Sequence, residues 1–158
     1  MTAPATEIAR GVRDALNNAD PGTFSQDFTA VFSFTPTKTF PDAIDATEAD
    51  DWLVLTTAGN PEHERSARGR WGETFPVHIG LLVDCRKASP ETGLDEDKVD
   101  AALELLDEIY RYLRNRTLEL DSGDYGPLEA THDPIFDPED LAGGLFAGVL
   151  IINYRTDR

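Results

Sequence analysis

From Phe75 to Val83 every second side chain is apolar: Phe75, Val77, Ile79, Leu81 and Val83 are set against Thr74, Pro76, His78, Gly80 and Asp84. An alternation of period two over that length is the pattern of a half-buried β-strand, whereas a helix would repeat its apolar positions every three or four residues. The chain must therefore build a sheet with one face turned to a core. Directly before this strand stand Arg65, Arg68, Arg70 and Trp71, a local positive feature in a chain whose formal net charge is −16. Such a cluster should find a carboxylate, a phosphate or a neighbouring subunit. The expectation is an arm carried by a rigid sheet, with these four residues as candidates for a subunit interface.

The remaining segments read in the same way. Thr6 to Asn18 sets Ile8, Val12, Ala15 and Leu16 on one face, predicting an amphipathic helix that Asp20, Pro21 and Gly22 stop. From Phe28 to Phe34, Phe28, Ala30, Phe32 and Phe34 alternate with Thr29, Val31 and Ser33, predicting a strand with one aromatic face. Asp51 to Thr57 is apolar on both faces, as a central strand should be, and the turn Ala58, Gly59, Asn60, Pro61 leads into the arginine arm. Leu94 to Arg116 places Val99, Leu103, Leu106, Ile109, Tyr110 and Leu113 at helical spacing. Asp95 sits where an N-cap belongs, with Leu94 and Val99 as a hydrophobic staple. Arg111, Arg114 and Arg116 complement the negative end of the helix dipole and are read as a solvated helix end.

A short strand is predicted around Leu128 to His132 and a strong one from Leu145 to Tyr154, with the intervening THDPIFDPEDLAGG read as a loop because of its two Asp-Pro steps and paired glycines. Thr35 to Asp50 and Asp121 to Gly126 are likewise read as loops. Together these segments predict an α+β fold in a single domain over residues 1–158: a mostly antiparallel sheet of about five strands with two main helices packed on one face.

Composition narrows the function. A chain of 158 residues is long enough to bury a core unaided, and its one cysteine, Cys85, cannot form an internal bridge. Three scattered histidines offer no zinc-type spacing, so no structural metal or cofactor is expected. No apolar run approaches the roughly 20 residues needed to cross a bilayer. The N-terminus lacks the basic-then-apolar order of a secretory signal, so the chain is expected to be made inside the cell. With 30 acidic against 14 basic residues it repels nucleic-acid phosphate and anionic membranes, which argues against sequence-specific DNA binding. Lysine occurs only at Lys38, Lys87 and Lys98. That bias fits either a surface adapted to molar salt, where the Debye length falls to about 3 Å, or a GC-rich genome.

Plainer readings outweigh each candidate catalytic constellation. Asp50 and Asp51 could serve as an acid and base only if burial split their pKa values. Asp133, Asp137, Glu139 and Asp140 are a possible oxygen-ligand set for calcium, but without the spacing of an EF-hand loop. Cys85 and His78 are separated by about 23 Å along an extended strand and fall on opposite faces, which excludes them as a dyad. Gly143 and Gly144 belong to no phosphate-binding fingerprint.

The order of features carries a resemblance. R-S-x-R-G-R-W-x-E-x-F-x-V-x-I-G from Arg65, a helix ending Y-R-Y-L-R, and H-D-P-I-F-D-P-E-D-L before a last strand resemble the tail terminator (minor tail, tail-completion) proteins of long-tailed viruses over nearly the whole chain. The resemblance implies a non-enzymatic virion protein at the head–tail junction, made in the host cytoplasm. It further implies a homo-oligomeric, six-fold ring that caps the tail tube protein, meets a head-completion or neck protein, and lets DNA pass through its lumen without specific binding. The acidity and lysine scarcity depart from the family pattern and suit a virus of a halophilic host. Two neighbouring readings remain, a head-completion or neck protein and a tail-tube protein. A third, from another class, is a small metal-dependent enzyme or ligand-binding α+β domain.

Overall fold

A computed structural model describes residues 4–34, 52–59, 62–65, 71–85, 95–132, 136, 138–142 and 144–156. In chain order the elements are α1 (Pro4–Asn17), β1 (Thr29–Phe32), β2 (Leu53–Ala58), β3 (Glu62–Arg65), β4 (Trp71–Asp84), α2 (Glu96–Leu113), β5 (Leu118–Leu120), β6 (Gly123–His132), α3 (Pro138–Ala142) and β7 (Leu145–Thr156). The strands form one seven-stranded sheet in the order β1-β2-β4-β7-β6-β5, with β3 pairing β4 off that path. Among the described residues β1 and β2 run parallel and every other pairing is antiparallel.

The alternating residues of β4 decide which way the sheet faces. Phe75, Val77, Ile79, Leu81 and Val83 pack with Phe146, Leu150, Ile152 and Tyr154 of β7 against Ile8, Val12 and Leu16 of α1 and Leu105, Leu106, Ile109 and Leu113 of α2. The predicted α+β architecture, with both main helices on one face, is thus present. On the opposite face a smaller cluster joins Leu55 and Leu82 to Leu53, Leu145 and Ala147.

The sheet curls around α1, so that both of its outer strands come back to this helix. At one edge, the Asn17 side chain donates to the Ala30 carbonyl at 2.9 Å and accepts from the Ala30 N–H at 2.7 Å, pairing with β1 as a neighbouring strand would. At the other edge, Gly11 lies so close to β5 that a Cβ there would stand 2.9 Å from Leu120 Cδ2. Glu7 accepts from the Ser122 N–H at 3.2 Å. Unpaired edges invite association with other strands, and α1 covers part of each.

Helix α2 begins as its sequence predicts. Asp95 is the N-cap, its carboxylate accepting from the Lys98 N–H at 3.3 Å. Its C-terminal half is tied to α1 and the segment after it: the Tyr112 hydroxyl donates to the Ala15 carbonyl at 3.1 Å, and Glu108 accepts from both the N–H and the hydroxyl of Ser25.

The sheet of about five expected strands is extended by β3 and β5 to seven; these span four and three residues, too few to display an alternation. Three readings need correction. Asp121 to Gly126 is a hairpin: Leu120 pairs with Gly123, and Gly123 supplies the positive φ, 143°, that the tight turn needs. The segment read as a loop before the last strand contains α3, whose Leu141 packs on the core. Phe34 is not core: it lies beyond the end of β1 and is 76% exposed.

Candidate assembly surface

The arginine cluster is built onto the sheet through β4, which is longer than its neighbours. β2 pairs with residues 77–82 of β4, and β3 pairs with residues 71–74 along the same edge. Between these two pairings the register moves by one residue, from Ala58↔Val77 to Glu62↔Thr74. Beside the shift stands Pro76, whose carbonyl accepts from Gly59 N–H at 2.9 Å but whose nitrogen has no hydrogen to return the bond. Glycine fits closely at position 59, where a Cβ would stand 3.0 Å from His78 Nε2 and 3.2 Å from Pro76 Cβ.

On the far side of β4 the support ends early, since pairing with β7 stops at Thr74↔Arg155. Among the described residues, 71–73 are therefore paired to β3 alone, so that β3 and this end of β4 form a two-stranded ribbon beyond the last pairing with β7. Three residues of strand carry it about 10 Å past the last three-stranded position. Arg65 and Trp71 are cross-strand partners at the outer end of the ribbon. The connection between them contains Arg68 and Arg70, which lie outside the described residues. The sequence from Arg65 to Trp71 holds three arginines and no carboxylate.

The other basic group also lies on a defined element. Arg111 pairs with Asp107 at 3.0 Å, one turn back on α2. The Arg114 guanidinium stands 5.7 Å over the Tyr110 ring, and that of Arg116 stands 4.2 Å over Tyr112. A third cationic contact was not legible in the sequence: Arg10 of α1 lies 4.9 Å over Phe32 and 5.8 Å over the exposed Phe34. Its partners are more than twenty residues away, so no local pattern signals it.

Among the described residues, the candidate catalytic side chains do not converge. Cys85 is fully buried on the helix-facing side, and burial pushes its thiol up to about 11, so at neutral pH it is a protonated thiol rather than a nucleophile. His78 alternates onto the opposite face of the sheet, as its spacing from Cys85 requires. His132, at the end of β6, is exposed. Asp50, Asp51, Asp133 and Asp137 lie outside the described residues, and Glu139 is exposed on α3. Among the described residues no group of three His, Cys, Asp or Glu side chains could hold a metal ion, and no helix is long and apolar enough to cross a membrane.

No protein-family model matches this sequence, and no curated protein matches it either. Among solved structures, the chain is similar to one from the structure described as "Virion of native gene transfer agent (GTA) particle". The likeness covers 98% of this chain and 98% of that chain, with a TM-score of 0.56 and 16% sequence identity. At that identity it is a likeness of fold.

Proposed function

We propose that this chain is a non-enzymatic structural protein of a virion, and within that class a tail terminator. It would form a homo-oligomeric ring, six-fold by the family resemblance, at the head-proximal end of a tail tube. There it ends tube growth and offers a surface to a head-completion or neck protein. The observation that carries this reading is the end-to-end likeness of fold to a chain of a virion particle, covering 98% of both chains. The arginine-rich arm and the H-D-P-I-F-D-P-E-D-L segment add the finer assignment.

The geometry gives the reading a mechanism. A cyclic assembly uses heterologous contacts, one patch meeting a different patch on the next subunit. Subunits of charge −16 repel one another unless that charge is screened or locally neutralised. The strand pair whose outer end is Arg65 and Trp71, with Arg68 and Arg70 between them in the sequence, would offer that positive charge to a neighbour. Tryptophan and arginine are enriched among the residues that dominate interface energetics. Acidic side chains facing a lumen would repel DNA phosphate and let it pass.

Immunogold labelling of particles from the source culture, with antibody against this chain, tests the assignment. Label confined to the head-proximal end of the tail is expected. Label along the tail would make it a tube protein, and particles without label would return the small metal-dependent enzyme or ligand-binding domain to first place.

A further inference from the structure

Helix α2 carries a charge pattern that its own stability does not explain. Glu96, Asp100, Glu104 and Glu108 follow one another at four-residue spacing, so each is an i,i+4 neighbour of a like charge. Such pairs destabilise a helix. Favourable interaction with the dipole covers Glu96 and Asp97, in the first turn, but has decayed before Asp100 and Glu104. Glu108 is engaged by Ser25; Glu96, Asp97, Asp100 and Glu104 are exposed and belong to no ion pair among the described residues.

The same stripe changes sign along the helix. Asp97, Asp100, Glu104, Asp107, Arg111 and Arg114 recur at intervals of three and four and so share one face. The buried residues Ala102, Leu105, Leu106, Ile109 and Leu113 occupy the opposite face. The acidic half is thus followed by a basic end, at which Arg114 and Arg116 are exposed and held over tyrosine rings. Holding a guanidinium in place lowers the entropy lost when it meets a carboxylate.

We infer that α2 forms a seam between two copies of this chain, the basic end of one (Arg111, Arg114, Arg116) docking on the acidic half of the other (Glu96, Asp97, Asp100, Glu104). The two patches are different surfaces of opposite sign, as a heterologous contact requires. Charge complementarity on one element, in a chain with few cations to place, selects a second copy as the partner. The inference rests on the ring reading and names a contact within it that does not involve the arginine arm.

The test uses two variants of the full chain, Asp97→Arg/Asp100→Arg/Glu104→Arg and Arg111→Glu/Arg114→Glu/Arg116→Glu, with self-association measured by sedimentation velocity and folding checked by circular dichroism. Each alone should weaken self-association by about tenfold or more, the scale of one or two close charge pairs. Mixing the two in equal amounts should restore it, because each then offers what the other lacks. The neutral set Asp97→Asn/Asp100→Asn/Glu104→Gln keeps the test decisive if a reversal variant misfolds: it should weaken association while preserving the helix. Wild type and all variants associating equally would overturn the seam and leave the ring reading standing. A wild type that stays monomeric at every concentration would overturn both.

Discussion

The helix-covered body of the sheet and the ribbon of β3 and β4 are made from the same strand, β4, yet different forces hold them. From Thr74 to Asp84 the strand is paired on β7, and its apolar side chains lie under two helices. From Trp71 to Glu73 its strand pairing among the described residues is with β3 alone, and the sequence before it holds arginines in place of apolar residues. Burial stabilises the first part, at about 25 cal/mol per Å² of apolar surface removed from water. In the second part, Glu73 is exposed. Stability and association should therefore reside on different residues, and mutations should separate them.

The largest stability effect belongs in the body. Ile109→Ala, at a fully buried position on α2, should lower the unfolding free energy by about 2–5 kcal/mol, read from the shift in urea midpoint. The association of whatever fraction remains folded should be unchanged. Next comes the sheet edge. Asn17→Ala removes both hydrogen bonds to Ala30 and leaves a part-buried donor and acceptor unmet, a loss of about 1–3 kcal/mol by the same measurement. Asn17→Ala should also raise non-specific aggregation, seen by light scattering, because it uncovers part of β1.

A smaller effect of opposite sign sharpens the comparison. Among the described residues the buried Tyr154 hydroxyl finds no hydrogen-bond partner, and burial drives its pKa upward. Tyr154→Phe keeps the ring and removes the unmet polar group, so stability should rise by about 1 kcal/mol, read as a higher melting temperature. A fall would mean that the hydroxyl has a role the packing does not reveal.

How much of this was legible in the sequence depends on range. The body of β4 announces itself because one buried face imposes an alternation over many residues. Helix α2 does so through its apolar stripe and its N-cap. The ribbon is half legible: three arginines in six positions mark the stretch of sequence between its strands, but EHER of β3 has no alternation to betray a strand, and the Arg65↔Trp71 pairing follows only from the register. The contact of Asn17 with Ala30 spans thirteen residues and a change of element, which no local pattern records. Helix α3 was hidden by its length of five residues and the Asp-Pro step at its start. Phe34 misled in the other direction, continuing the alternation of β1 past the point where the strand ends.

The most direct test of the separation is the triple variant Arg65→Glu/Arg68→Glu/Arg70→Glu, with its urea midpoint and its oligomeric state by native mass spectrometry compared with wild type. The account predicts stability within about 0.5 kcal/mol, as for surface substitutions away from the core, together with loss of the ring. Rings of wild-type size from that variant would contradict it.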